Sequence, residues 1–503
     1  MFLLGLDIGT TMCKAFIYSE DGREISSGRG SYTLYHDTPE LSELDPREVW
    51  ITIANAVKES IKSGKVDPSE IGALSFSTLG HAIMAVDKNG EWLTRCMQFY
   101  DMRGHAETME IETKLGREYV TGIIGAPYFI MSPISKMLWL QKNRPEVYRK
   151  IAKFISWQEY VIWKLCGRFA TDYSLAACVG LFDLPRKCWS EELLEVTGVD
   201  MDLMPEVVCS GSLIGEAESG AAKELGLQKG TPIVAGAHDV DASALGCGIV
   251  NLGDSVDLTG TVEVFASVIG KEKKNDGTLC QGINRTADIP LLWGGMSTSG
   301  VIFRWLRDNF GYEELQKAER EGKDAYDLLT ERASKAKPGS DKLFFLPDFS
   351  GSMTSRNSRG VLVGLTLGHG KNEVIRAVLE GLSFEFRAML ESVETRGADV
   401  AEIRAIGGGA KSNLWLQMKA DIVDKRIARP EITEAGSLGA AVLGGIGVEE
   451  YKDAFDAVGK FFRIKDRFQP NEEQVKLYDK YYSKFYSRIR ADLSDLFEEM
   501  ARS

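Results

Sequence analysis

One theme appears twice, about half the chain apart. Residues 2–8 form an apolar run that leads into Asp7-Ile8-Gly9-Thr10-Thr11. A strand follows over 14–18, then the turn Glu20-Asp21-Gly22 and a third strand over 24–32. Near the middle of the chain a strand over 255–258 runs into Thr259-Gly260-Thr261, and a strand over 262–268 leads away. The spacing differs by one residue, Asp7-x-Gly-Thr against Asp257-x-x-Gly-Thr. Two strand–Gly-Thr–strand hairpins, each opening about half of a 503-residue chain, predict a duplicated core. The boundary falls near residue 245, giving lobes over 1–245 and 246–503.

Between the hairpins, strands and helices alternate, which predicts an α/β class. Trp50, Ile53, Ala54, Val57 and Ile61 lie on one helical face. Residues 71–76 read as a strand that ends at Ser77-Thr78-Leu79-Gly80-His81. Residues 232–236 are a strand entering Ala237-His238-Asp239, and 242–248 are an Ala/Gly-rich helix suited to close packing. In the second half a long amphipathic helix is predicted over 372–394, with Ile375, Val378, Leu379, Leu382, Phe386, Met389 and Leu390 as its apolar stripe. A strand over 403–406, the loop 407–413 and a helix from Leu414 follow. A second small-residue helix spans 435–447, and from Glu472 the chain reads as a charged helical cap.

Each Gly-Thr turn offers successive N–H groups and hydroxyls, the makings of a phosphate nest. Asp7 stands at a strand end where it can hold Mg²⁺ through water, and Lys14 is placed to reach a terminal phosphate. One such turn alone is also an ordinary hairpin, so the weight comes from the pair. Gly407-Gly408-Gly409 lies between a strand and a helix. Three glycines are entropically costly to order, and the reason is either a flat ligand such as adenine or close helix–strand packing. Ser412 stands where a dinucleotide fingerprint needs its third glycine, which speaks against a dehydrogenase. Asp239, between a strand and a helix, reads as a general base for a hydroxyl nucleophile or as a helix N-cap, with Asp241 nearby. His81 is a candidate polyol contact or a structural hydrogen bonder. Asp101 and Arg103, after Phe99-Tyr100, suit a sugar or form a surface ion pair.

The net charge of −13 argues against a nucleic-acid partner. The eight cysteines, at 13, 96, 166, 178, 188, 209, 247 and 280, include no C-x-x-C pair, so a reducing cytoplasm and no zinc are expected. No apolar run reaches the length of a membrane span, and residues 1–5 carry no basic, signal-type pattern, so neither a transmembrane helix nor a secretory leader is expected.

Two longer segments carry a resemblance. Residues 131–143, Met131-Ser132-Pro133-Ile134-Ser135-Lys136-Met137-Leu138-Trp139-Leu140-Gln141-Lys142-Asn143, resemble the first signature of the FGGY family of carbohydrate kinases. Gly360-Val361-Leu362-Val363-Gly364-Leu365, followed after seven residues by Glu373-Val374-Ile375-Arg376-Ala377-Val378-Leu379-Glu380, resembles the second. The likeness runs from about residue 3 to about 447. It implies two RNase-H-like lobes of the actin/hexokinase/Hsp70 ATPase type with an interlobe cleft. It implies γ-phosphoryl transfer from Mg-ATP to a hydroxyl of a small, often open-chain sugar, as in xylulokinase-, gluconokinase- or fuculokinase-like members. By this resemblance Asp239 is the catalytic base and Asp7 the carboxylate near Mg²⁺. Thr10, Thr11 and Lys14 form the first phosphate loop, and Gly260 and Thr261 the second. Gly408, Gly409, Ala410 and Asn413 form the adenosine loop, and His81, Asp101, Arg103 and Asp239 meet the sugar. A homodimer is common in the family. Departures sit on the sugar side: Leu79-Gly80 where xylulokinases have Gln-Met, Phe99-Tyr100 where many members place Trp, and His238 where xylulokinases and glycerol kinases have Gly. A His-Asp pair at that place is more like deoxyketose kinases. The other readings are an actin- or Hsp70-like ATPase and a non-catalytic sugar-binding relative.

Overall fold

A computed structural model describes residues 1–38, 40–126, 132–270, 280–284, 289–296, 298–352, 355, 357–432 and 434–502, the side chains of 280–284 and 289 excepted. Met131 of the first signature lies outside the described residues. The chain forms two compact units: residues 1–250, 270–292 and 434–462, and residues 251–269, 293–433 and 463–503. The chain crosses a cut near 245 more than once, because residues 434–462 return to the first unit.

The first unit is built on a mixed sheet. Its strands are β1 (Phe2–Ile8), β2 (Met12–Ser19), β3 (Glu24–Ser31), β4 (Ile71–Thr78), β5 (Leu213–Glu216), β6 (Pro232–Val234) and the short β7 (Ala237–His238). The order is β5-β6-β4-β1-β2-β3, with β7 beside β4. β1 and β2 pair antiparallel, with Asp7 opposite Lys14, and β1 runs parallel to β4, with Asp7 opposite Ser77. Helix α1 (Pro46–Gly64) is capped by Asp45, whose carboxylate accepts from the N–H groups of Arg47 and Glu48. Its apolar face buries Val49, Trp50, Ile53, Ala54 and Val57.

The second sheet comprises β8 (Ser255–Thr259), β9 (Glu263–Val268), β10 (Cys280–Asn284), β11 (Ile289–Met296), β12 (Glu402–Gly407), β13 (Arg426–Pro430) and β14 (Ile464–Phe468), in the order β10-β11-β9-β8-β12-β13-β14. β8 pairs antiparallel with β9 and parallel with β12, β12 runs parallel to β13, and β13 is antiparallel to β14. The first sheet repeats these relations in β1, β2, β4, β6 and β5. The duplication read from the two hairpins therefore extends well beyond them.

Four helices matter below. α2 (Ile134–Asn143) carries most of the first signature segment and α4 (Lys371–Thr395) the 373–380 part of the second, α3 is Asp239–Gly246, and α5 (Asn413–Val423) follows the glycine loop. A fifth, α6 (Ala435–Gly447), is rich in glycine and alanine, and the packing explains why. A Cβ on Gly5 of β1 would overlap the Ser437 carbonyl, and one on Gly439 would overlap that of Ala242 in α3. α6 thus lies directly on backbone, with Ala440, Ala441 and Val442 buried. Among the described residues no helix is long and apolar enough to cross a membrane, and no disulfide forms.

Candidate functional site

In the first unit the strand registers bring the charged groups together. Ser77 Oγ donates to Asp7 Oδ1 at 2.7 Å. Lys14 Nζ lies 3.9 Å from Asp7 Oδ2 and donates to Glu434 Oε2 at 2.7 Å, while Arg29 reaches Glu434 Oε1 at 3.0 Å. Glu434, just before α6, is a member of this cluster that no local pattern announces. Burial pushes the Asp7 carboxyl up to about 6; Lys14 and Ser77 oppose the shift, and the charges of Asp239 and Glu434 add to it. The intervening turn is closed by Gly9 N–H donating to Met12 O at 3.0 Å and by the Tyr32 hydroxyl bonding to Gly9 O. Thr10 is partly exposed and Thr11 exposed.

Asp239 is the first residue of α3, and the cap position belongs to His238. Its carboxylate faces His238, with Oδ1 3.0 Å from Nε2. The side chain is 43% exposed, yet protein surrounds it, and desolvation raises its pKa while His238 opposes the rise. His238 Nδ1 lies 3.3 Å from Asp241 Oδ2. Burial pulls the His238 pKa down, but Asp239 and Asp241 outweigh it and the net shift is upward.

His81 belongs to the same neighbourhood. Its ring lies 6.3 Å from His238 edge-on and 5.2 Å from Phe99. Its backbone is left-handed, φ 58°, an unusual conformation for a non-glycine residue. Burial, with the charges of His238 and Lys136, lowers its pKa to about 3, so the ring is neutral. Asp101 is wholly buried: Arg103 Nε donates to its Oδ1 at 2.8 Å and Nη2 to its Oδ2 at 2.6 Å, and the Ser42 N–H donates at 3.0 Å. Arg103 also reaches Glu43 at 2.5 Å and lies over the Trp139 ring of α2. The pair is a built-in fork rather than a loose surface contact, and Arg103, 14% exposed, is its more open member.

In the second unit the loop Gly260-Thr261 is exposed and held from behind. The N–H groups of Gly300 and Val301 donate to Gly260 O at 3.1 Å and Thr261 O at 3.2 Å. Beneath it, Lys419 Nζ of α5 is 1% exposed and donates to Asp257 Oδ2 at 2.5 Å, Glu263 Oε1 at 2.7 Å and Thr259 Oγ1 at 2.9 Å. Ser299 Oγ donates to Glu263 Oε2 at 2.6 Å. A single ammonium cannot neutralise two carboxylates. Burial accordingly raises Glu263 to about 7, although Lys419 opposes the shift. The sequence signal for this cluster is a lysine that closes the mostly apolar run Leu414-Trp415-Leu416-Gln417-Met418.

The three loop glycines divide between the two expected reasons. Gly407 has φ 89°, and a Cβ there would overlap the Thr259 carbonyl; one on Gly409 would meet Thr259 Cγ2 at 2.6 Å. Those two serve packing. A Cβ on Gly408 would meet nothing closer than 3.9 Å, so its exposed backbone is open to a ligand. Ala410 is buried and its carbonyl accepts from Arg429 at 3.0 Å; Asn413 is exposed at the start of α5.

The second signature segment is itself a fastener. Arg376 Nε donates to Glu380 Oε1 at 2.7 Å within α4, and Glu380 also accepts from Gly339 N–H, Ser340 Oγ and Tyr478 Oη.

Comparison with known proteins adds three kinds of finding. Residues 2–246 match the N-terminal domain of the FGGY family of carbohydrate kinases, and residues 259–448 match its C-terminal domain. The chain is 33% identical over 497 residues to a gluconokinase of Bacillus licheniformis, covering 97% of this chain and 96% of that one. It is 28% identical over 501 residues to a xylulose kinase of Staphylococcus epidermidis, covering 98% of each. The crystal structure of ligand-bound xylulose kinase from Lactobacillus acidophilus superimposes with a TM-score of 0.90 at 25% identity over 99% of both chains.

Proposed function

The chain belongs to the FGGY family of carbohydrate kinases, and on that premise we propose that its acceptor is a small open-chain polyhydroxy compound, gluconate before xylulose. It is an ATP-using sugar kinase. The observation that carries the choice of acceptor is the 33% identity to a gluconokinase over 97% of the chain. Arg103 supports it, as a partly open cation at the sugar end that an aldonate carboxylate can use.

In this reading Asp239 accepts the proton of the attacking hydroxyl. Its open carboxylate, destabilised by burial and steadied by His238, is poised to do so. Neutral His81 hydrogen-bonds a sugar hydroxyl, and Asp101 holds Arg103 in position. Thr10, Thr11 and Lys14 receive phosphate oxygens on the first unit, as Gly260 and Thr261 do on the second. Gly408, Gly409, Ala410 and Asn413 receive the adenosine. The residues at Asp7 fit a magnesium ion. Burial leaves the carboxylate short of positive charge even beside Lys14. Among the described residues there is no cluster of three or more His, Cys, Asp or Glu to cage a metal, in keeping with an ion that takes few carboxylates and keeps its waters and substrate phosphates. Such an ion supplies neutralisation of charge on the transferring phosphoryl oxygens. A cytoplasmic location and a homodimeric assembly belong to the same reading.

The test is ADP release from Mg-ATP with gluconate, xylulose, deoxyketoses, polyols and no acceptor. Gluconate is expected to give the highest kcat/KM. A higher value for xylulose overturns the choice of acceptor. Asp239→Asn is expected to lower kcat about 10²- to 10⁴-fold with ATP binding retained, and near-normal turnover refutes its role.

A further inference from the structure

Behind Asp239 stands a set of buried polar groups that proton acceptance alone does not call for. His238 is 5% exposed, and its two ring nitrogens face two carboxylates, Asp239 at 3.0 Å and Asp241 at 3.3 Å. Its backbone N–H donates to Ser174 Oγ at 2.8 Å. Ser174 Oγ in turn donates to Asp172 Oδ2 at 2.5 Å, and Asp172 also accepts from Ser210 Oγ at 2.9 Å and Gln158 Nε2 at 3.3 Å. Gln158 Oε1 accepts the Gly236 N–H at 2.8 Å, fixing the strand end that leads into the site. On the ring's other side Gly80 packs so closely that a Cβ there would lie 2.7 Å from His238 Cδ2. Asp241 is 4% exposed, and among the described residues its second oxygen has no hydrogen-bond partner. A buried carboxylate that keeps one oxygen unsatisfied is costly, and the other oxygen of Asp241 faces the imidazole.

We propose that His238 is a positioning residue for the phosphoryl transfer: anchored on Asp241, it holds Asp239 Oδ1 so that the other carboxylate oxygen is turned to the acceptor hydroxyl. The inference rests on Asp239 being the base. The imidazole is bounded by Asp239 and Asp241 of α3 and by the Gly80–His81 loop, while the Asp172–Ser174 pair holds the residue's backbone N–H. The ring therefore fixes one rotamer of Asp239 by geometry rather than by its charge alone. The imidazolium form donates to both carboxylates, and losing one proton releases one of them. The groups whose charge His238 senses are Asp239, Asp241 and Asp172, with neutral His81 opposite. Rising pH through the His238 pKa, which is displaced upward, therefore loosens Asp239 and gives the rate profile an alkaline limb.

Three variants and a rescue test this, in the full-length enzyme assayed with its best acceptor. His238→Gly leaves a residue that helix cap positions tolerate at little cost. It is expected to lower kcat about 10²-fold, the scale of losing orientation at a reacting group, with KM for ATP and sugar held. It should also abolish the alkaline limb, and added imidazole should restore turnover. Asp241→Asn keeps the ring but removes the carboxylate that holds its proton, so the alkaline limb should move to lower pH. Wild-type kcat in His238→Gly, or an unmoved limb in Asp241→Asn, overturns the proposal. Imidazole rescue of Asp239→Asn does so as well, since the ring can act only through the carboxylate. Asp239→Asn separates the two levels: if it turns over normally the base assignment falls and His238 with it, whereas a dead Asp239→Asn beside a normal His238→Gly sinks the His238 role alone.

Discussion

The two Gly-Thr hairpins share a strand pattern and differ in where they keep their charge. In the first, Lys14 is 23% exposed and bridges the partly open Asp7 and Glu434. In the second, Lys419, Asp257 and Glu263 are sealed, each at 1% exposure or less, with Phe386 and Trp415 rings 4.6 and 5.0 Å from the ammonium. The first lysine comes from the neighbouring strand by register and is partly open to solvent. The second comes from α5, has its donors committed to Asp257, Thr259 and Glu263, and acts on the loop from beneath. One framework thus carries an open ion cluster in one copy and a sealed one in the other.

The largest effect that would break this contrast is on stability. Lys419→Met strands two buried carboxylates and should cost about 3–5 kcal/mol, visible as a large fall in Tm. A small change would show the buried cluster to be dispensable. Glu263→Gln should act more gently and in a pH-dependent way. The folded pKa of Glu263, about 7, lies above its ordinary value of 4.5, so the native state binds the extra proton and its stability falls as pH rises from about 4.5 to 7. The glutamine variant should lose that slope in Tm between pH 5 and 7; an unchanged slope would place the titration elsewhere. The smallest stability effect belongs to Lys14→Met, within about 1 kcal/mol, as expected for a half-exposed ion pair. Its signature should instead be a raised KM for ATP, and an unchanged KM would remove Lys14 from the phosphate loop.

These differences also mark what the sequence makes legible. The hairpins, α1, α4 and α6 could be read because their signals are local: alternation, a 3.6-residue stripe, a run of small residues. α6 spans the 435–447 predicted for it. The small-residue runs 242–248 and 435–447 announce close packing, but not that they pack on each other, as Gly439 does on the Ala242 carbonyl. Glu434 beside Lys14 and Lys419 beside Asp257 are pairings across 420 and 162 residues. Nothing in the neighbourhood of either residue encodes its partner. The glycine loop was half legible: three glycines signalled a need for bare backbone, but only the packing on Thr259 separates Gly407 and Gly409 from Gly408. At Asp101 and Arg103 the residue types pointed to an ion pair, and burial turned it from a surface feature into a fixed fork.

The return of residues 434–462 to the first unit has a consequence for biosynthesis. Domains tend to fold as they emerge during synthesis, N-terminal first. Here the sheet of the first unit appears early, but α6, which lies on β1 and β4, is made only after most of the second unit has left the ribosome. Until then Gly5, Ala73 and Ser75 lack the helix that comes to lie against them. The nascent chain therefore carries an uncovered sheet face through the synthesis of roughly two hundred further residues, and closure of the first unit is timed by the arrival of α6.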